Sequence, residues 1–140
     1  MTCVTFAMVG ESIETHTLTW KVGASADGPA GNLKKSIGET LYKASKAALQ
    51  RFLCDYFRTS DLCNVPQGAS ITPLGGGTNG YKRLKVRWSL PGSGKSGSLR
   101  LGVSVKCKER TVLISSLRHR PSNPSASEMT ADFDSSELGP

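Results

Sequence analysis

Two stretches of the chain alternate between apolar and polar residues, and this alternation constrains the fold more than any other feature. The apolar positions are Leu84, Val86, Trp88 and Leu90 in the first stretch, and Leu99, Leu101, Val103, Val105 and Cys107 in the second. The positions between them are Arg83, Lys85, Arg87, Arg100, Gly102, Ser104 and Lys106. Successive side chains of a β-strand point to opposite faces of a sheet, so a period of two predicts two strands. Paired antiparallel, these strands form a sheet with one apolar face and one cationic face.

Positive charge is concentrated in the same part of the chain. Between Lys82 and Arg120 there are eleven of the eighteen Lys and Arg residues and a single acid, Glu109. From Pro121 onward there are four acids and no Lys or Arg, so residues 1–120 have a net charge of 18 − 7 = +11. Such a charge attracts partners that carry phosphate and makes their binding sensitive to salt. We therefore interpret the cationic face as a surface that holds nucleic acid, although composition alone fits a merely soluble basic protein equally well.

The remaining patterns predict a small α+β domain. A first strand is predicted from His16 to Val22, followed by a loop of small residues over 23–31. From about 32 to 58, apolar residues at helical spacing predict one long amphipathic helix, or two helices that break near Gly38. Residues 111–117 are apolar at both parities, which is typical of a central strand covered on both sides. The predicted fold is a small twisted antiparallel sheet with one or two N-terminal amphipathic helices packed on its apolar face.

The chain divides into one domain and a tail. Residues 1–120 are predicted to form a single domain in which 1–15 are an N-terminal extension. Residues 121–140 are rich in Ser, Pro and acids, and we predict a flexible tail with at most one helical turn near Ser127. Because the charge of this tail is opposite to that of the domain, we expect it to fold back over the cationic face and to compete there with nucleic acid.

Cysteine usage and hydropathy indicate a cytoplasmic protein without a cofactor. The four cysteines are widely spaced and form no C-x-x-C unit, and only two histidines are present, so no metal site is predicted. Cys54 falls in a helical pattern and Cys107 on a strand, and both are interpreted as buried thiols in a reducing compartment. No stretch has the apolar length of a membrane span.

One motif resembles a nucleotide-binding loop without meeting its requirements. Residues 91–96 read Pro-Gly-Ser-Gly-Lys-Ser, close to the centre of a P-loop, but Ser89 occupies the first glycine position of that pattern. The mechanism also needs a helix directly after the lysine, whereas residues 98–107 alternate as a strand. We interpret this segment as a Gly/Ser hairpin loop.

A longer series of segments resembles a toxin family. In order these segments are Thr72–Gly77 (TPLGGG), Lys82–Trp88 (KRLKVRW), Pro91–Gly97 (PGSGKSG), Leu99–Val105 (LRLGVSV) and Leu117–Arg120 (LRHR). Together they resemble the RelE/ParE/HigB toxins of bacterial toxin–antitoxin pairs, and the element order extends the resemblance to about 16–120. Gly102 and Ser104 differ from the larger residues that many members carry on the third strand.

This resemblance implies a ribosome-dependent endoribonuclease that cleaves mRNA and is neutralised by a cognate antitoxin protein. The RNA's own 2′-hydroxyl would attack, so the protein must orient the phosphate, stabilise its charge and move protons. The residues that the resemblance places in catalysis are Arg100, His119 and Lys85. Those placed in nucleic-acid binding are Arg83, Arg87, Lys95, Arg118 and Arg120.

Two other functions remain open from the sequence. The ParE-like branch of the same superfamily inhibits DNA gyrase and cuts no RNA, so a non-enzymatic basic module that binds nucleic acid or protein is the first alternative. A viral capsid or assembly protein with a basic inner sheet is the second.

Overall fold

The computed structural model describes residues 2–6, 13–56, 71–88, 99–106, 109–119 and 126–138. In chain order the elements are β1 (Thr2–Phe6), β2 (Ile13–Thr17), β3 (Thr19–Val22), α1 (Ala24–Ile37), α2 (Glu39–Tyr56), β4 (Ile71–Leu74), β5 (Lys82–Trp88), β6 (Leu99–Lys106), β7 (Thr111–His119) and α3 (Ala126–Leu138).

The main sheet has five strands in the order β3-β7-β6-β5-β4. Strands β4 to β7 form an antiparallel meander, whereas β3 pairs with β7 in parallel. The α+β class with helices near the N-terminus is therefore confirmed, but the sheet is mixed rather than wholly antiparallel. The parallel pair arises because α1 and α2 connect β3 to the far edge of the sheet, and the meander then returns to β3.

The alternation of β5 and β6 separates the two faces of the sheet as predicted. Leu84, Val86 and Trp88 of β5 lie in one buried cluster with Leu99, Leu101, Val103 and Val105 of β6. The helices close this face with Leu33 from α1 and with Leu49 and Leu53 from α2. We call it the apolar face.

The predicted break at Gly38 is confirmed, but the first helix begins earlier than predicted. Gly38 separates α1 from α2 with φ of 91°, a left-handed conformation that favours glycine, and its N–H donates to the carbonyl of Lys34. The loop predicted over 23–31 is wrong, because α1 begins at Ala24 and contains Pro29. Ala26 is fully buried, so tertiary packing outweighs the poor helix propensity of this segment.

Residues 13–22 form two strands instead of the single strand predicted from His16 to Val22. The fully buried Leu18 separates β2 from β3. β2 pairs with β1 in a separate two-stranded sheet that includes most of the predicted N-terminal extension and ends at Thr17, and β1 packs against α2.

β7 is a central strand covered on both sides, as predicted. It lies between β3 and β6, and both α1 and α3 contact it. Its pairing with β6 shifts by one residue, since Gly102 pairs with Ser116 and Val103 with Ile114. Ser115 is therefore the extra residue of a β-bulge.

The prediction of a flexible tail over 121–140 is wrong for the described part of that range. Residues Ala126–Leu138 form α3, and Met129, Phe133 and Glu137 are at most 5% exposed. These three residues are spaced four apart, so they share one face of the helix. The helix is ordered by packing that face against the sheet.

The cysteine prediction also needs correction. Cys54 is buried as predicted, but it is disulfide-bonded rather than a thiol. The side chains of Cys3, Cys63 and Cys107 lie outside the described residues. Within the described ranges, no helix is both long and apolar enough to cross a membrane, and no group of three or more candidate ligands could hold a metal ion.

Candidate nucleic-acid interface

The sheet face opposite the apolar face carries the basic residues, and α3 covers part of it. Arg83 and Lys85 of β5 and Gly102 and Ser104 of β6 lie on this face, because they alternate with the apolar residues of the same strands. We call it the α3 face. Ser104 is fully buried there by the contact with α3.

Glu137 of α3 is a fully buried carboxylate with donors on several sides. Nε of Arg83 donates to both carboxylate oxygens at 3.1 Å, and Nη2 donates to Oε1 at 2.8 Å. The hydroxyl of Ser104 donates to Oε2. The backbone N–H and the hydroxyl of Thr78 donate to Oε1 at 2.9 and 3.0 Å. A buried charge with this many partners is stabilised in its ionised form.

The ionisation of this pair follows from its contacts. The pKa of Arg83 is raised, first by its hydrogen bond to Glu137, against the opposing effect of burial. Burial is the largest single influence on Glu137 and raises its pKa, but the hydrogen bonds from Arg83, Ser104 and Thr78 together lower it below its ordinary value of 4.5. Asp134, half exposed, also accepts from Nη2 of Arg83 at 2.7 Å. Arg83 is thus an internal ion-pair residue in this conformation.

The glycine-rich loop before β5 is shaped around the same carboxylate. Gly76, Gly77, Asn79 and Gly80 all have positive φ. A Cβ on Gly77 would lie 2.1 Å from the carbonyl oxygen of Tyr81, so only glycine fits there. The side-chain amide of Asn79 donates to the backbone carbonyl of Glu137 at 3.2 Å, which ties the loop to the end of α3.

Two glycines let α3 approach closely. A Cβ on Gly102 would lie 2.7 Å from Cζ of Phe133, and a Cβ on Gly23 would lie 2.3 Å from Oγ of Ser136. The Phe133 ring is also contacted by the Arg83 guanidinium, 4.9 Å from the ring centroid. The small residues at 102 and 104 are therefore explained by the helix that packs on them.

Beyond this contact, three arginines lie side by side across three strands. Arg87 of β5 pairs with Arg100 of β6, and Arg100 pairs with Arg118 of β7. Directly opposite residues on antiparallel strands have their Cβ atoms about 5 Å apart on the same face. Arg87 is exposed, Arg118 is partly exposed and Arg100 is buried. We call this set the arginine row.

A carboxylate of α3 reaches one end of the row. Oδ2 of Asp132 accepts from Nε and Nη2 of Arg118 at 3.1 and 3.0 Å, and from the hydroxyl of Ser116 at 2.6 Å. The three arginines and Asp132 therefore sum to a net charge of 3 − 1 = +2. The expectation that acids of the tail fold back over the cationic face is confirmed for Asp132, Asp134 and Glu137.

A cavity of about 270 Å³ lies beside the row, between the β4–β5 edge and α3. Its lining residues are Leu74, Gly75, Arg83, Lys85, Met129, Thr130 and Phe133. Lys85 is half-buried and forms no ion pair within the described ranges. It stands two positions before Arg87 on the same strand and therefore on the same face.

The predicted site residues separate into three groups. Arg87, Arg100 and Arg118 come together in the row, Lys85 lies beside them, and Arg83 is occupied by Glu137 and Asp134. His119 pairs with Leu99 one register step from the row, and its side chain lies outside the described residues. Lys95 and Arg120 lie outside them altogether.

Sequence reasoning missed the acids and hydroxyls that close the α3 face. Thr78, Ser104 and Glu137 carry most of that network, and Asp134 adds to it. The spacing of Met129, Phe133 and Glu137 was the available signal, since i, i+4 and i+8 define one helix face. Because Glu137 is charged, a pattern of apolar residues at helical spacing does not include it.

Comparisons of the chain with protein-family models, with curated proteins and with solved structures find no match. The resemblance to RelE-like toxins therefore stays a prediction.

Proposed function

We propose that this protein binds the phosphate backbone of single-stranded nucleic acid through the arginine row. The single observation that carries the proposal is the alignment of Arg87, Arg100 and Arg118 across three neighbouring strands. Like charges directly opposite one another destabilise an antiparallel pair. A bound polyanion removes that repulsion, and the planar guanidinium suits bidentate contact with phosphate.

The position of α3 also supports this proposal. Its acids neutralise Arg83 fully and Arg118 in part, whereas Arg87 is exposed. The basic residues of the α3 face that a ligand can reach are thereby narrowed to Arg87, Arg118 and Lys85, whereas Arg100 lies buried between the two arginines of the row. A narrow track of positive charge follows a single strand better than it covers a broad duplex.

The second candidate is the mRNA endoribonuclease that the family resemblance implies. The observation that favours it is the place of Arg100, one of the residues that the resemblance places in catalysis, at the centre of the row. In this reading Arg87 and Arg118 hold the neighbouring phosphates. The resemblance implies His119 as the proton donor, but its backbone pairs with Leu99 of the apolar face and not with a residue of the row. A cognate antitoxin and a cytoplasmic location belong to this candidate and remain predictions; the Cys54 disulfide is more typical of an oxidising compartment.

The test is a titration of labelled single-stranded RNA at several salt concentrations, with Arg87→Ala compared with Arg51→Ala. Both arginines are exposed, but Arg51 lies on α2, away from the α3 face. Loss of one phosphate contact lowers the slope of log K against log salt by about 0.7 for a single strand. We expect this decrease, with weaker binding, for Arg87→Ala alone. Equal effects of the two substitutions would mean that RNA responds only to overall charge.

The same RNA, incubated with ribosomes and a translated message, separates binding from cleavage. Mapped new 5′ ends that disappear in both Arg100→Lys and His119→Ala would support the endoribonuclease. Intact message with Arg87-dependent binding would leave the protein as a binding module.

A further inference from the structure

We propose that the cavity between α3 and the β4–β5 edge holds one unstacked nucleobase of the strand whose phosphates lie on the arginine row. This inference rests on the proposed function and extends it from the phosphate backbone to a base. The occupant is inferred from the size of the cavity, from its lining and from the place of Lys85, two positions before Arg87 on β5.

The size fits a single ring system. Cavities that hold drug-sized ligands have volumes of roughly 300–1,000 Å³, so about 270 Å³ suits a smaller group. Leu74, Met129 and Phe133 supply apolar walls, and apolar or aromatic walls are what hold bases taken out of a stack.

The polar groups of the cavity are suited to the edge of a base. The Arg83 guanidinium is bound to Glu137 and Asp134. Lys85 is therefore the cation of the lining that has no carboxylate partner among the described residues. A lysine only donates hydrogen bonds, so it selects a base edge that carries acceptors, such as O6 and N7 of guanine.

The cavity also lies at the correct place relative to the row. Lys85 and Arg87 are two positions apart on β5, about 7 Å along the strand, with both side chains on the α3 face. A nucleotide whose phosphate contacts Arg87 can therefore place its base beside Lys85.

Gly75 allows the cavity to be filled without disturbing the core. It lines the cavity and is exposed, and a Cβ added there meets no atom within 4 Å. Gly75→Leu is therefore the variant that adds a side chain to the lining of the cavity without a clash. Gly31→Leu is the matched control, because Gly31 is also exposed and also has open space, but it lies on α1.

The experiment measures the affinity of wild type and both variants for a short single-stranded RNA and for the same RNA with one base removed at each position in turn. We expect wild type to bind one abasic RNA about tenfold more weakly, the scale of a single base contact. Gly75→Leu should bind intact RNA about tenfold more weakly with an unchanged salt slope, and should not distinguish intact from abasic RNA. Gly31→Leu should behave as wild type.

Failure of the base site and failure of the proposed phosphate binding give different results. If intact and abasic RNA bind wild type equally while Arg87→Ala still weakens binding, the base site is overturned and phosphate binding stands. If Arg87→Ala has no effect of its own, the proposed function fails first. A Gly75→Leu protein that binds a protein partner less well but RNA normally overturns the choice of a base as the occupant.

Discussion

On one face of the sheet, leucine, valine and tryptophan side chains pack against α1 and α2, whereas on the other a buried carboxylate binds an arginine, two hydroxyls and a backbone amide. Apolar contacts are non-directional, so many combinations of side chains of similar volume fill the first face. The second face depends on particular donors, because each one lost leaves a buried polar group unsatisfied. We therefore expect the α3 face to tolerate substitution less well than the apolar face.

The largest effect is expected for Glu137→Gln, which removes the buried charge and keeps its shape. Arg83 would remain buried with only the half-exposed Asp134 as its carboxylate partner. Breaking a buried ion pair costs about 3–5 kcal/mol, so we expect the free energy of unfolding in urea to fall by that amount.

Two further variants sharpen this result. Asp134→Asn affects the same guanidinium from an exposed position and should cost less than about 1 kcal/mol. The double substitution Arg83→Met with Glu137→Leu should recover most of the loss, since apolar replacements of buried pairs are often neutral. A Glu137→Gln protein as stable as wild type would show that the two faces do not differ in tolerance.

A smaller effect is expected for Gly102→Ala. The new methyl group would meet Cζ of Phe133 at 2.7 Å and Cβ of Ser116 at 3.0 Å, which forces the helix outward. Overpacking of this kind costs about 1–3 kcal/mol. Gly31→Ala has open space within α1 and should instead raise stability by about 0.5–1 kcal/mol. The measurement is the Tm of both variants in thermal unfolding. If the two substitutions shift Tm in the same direction, the close approach of α3 to Gly102 is refuted.

The smallest effect is expected from pH. Because the pKa of Glu137 is lower in the folded than in the unfolded chain, its contribution to stability is present above 4.5 and is lost as pH falls through the folded pKa. The loss should be smaller than for Glu137→Gln, because the NH2 group of glutamine places donors against the Arg83 guanidinium, whereas both oxygens of a protonated carboxyl can still accept a hydrogen bond. Urea unfolding between about pH 6 and pH 3 measures it, and Glu137→Gln should show a shallower dependence. Identical curves would contradict the ion pair.

The two faces also differ in how far the sequence predicts them. The strands β5 and β6, the covered central strand β7 and the helix break at Gly38 follow from local patterns of apolar residues and glycine. The early start of α1, the parallel pairing of β3 and the docking of α3 do not, because each depends on contacts between residues distant in sequence. The pairing of Glu137 is the hardest of these features to predict, since its partner Arg83 is 54 residues away and neither residue is apolar.

The same limit applies to the site. The basic residues and their strands could be predicted, and so could their common face. The alignment of Arg87 with Arg100 and Arg118 required the register, which no single strand reveals. The occupation of Arg83 by carboxylates required the position of α3. What a charged side chain binds is decided by its neighbours in space.

The bulge at Ser115 has a consequence for how β7 tolerates changes in length. Before the bulge the core residues are even-numbered, Val112 and Ile114, and after it the core residue is odd-numbered, Leu117. The extra residue Ser115 thus changes which positions of β7 face the core. Because of it, the even-numbered Arg118 lies on the α3 face with Arg100 and not on the apolar face. Deleting Ser115 would remove the bulge and leave every other residue of β7 on its present face. Deleting Leu117 would instead turn Arg118 toward the leucines and valines of the core.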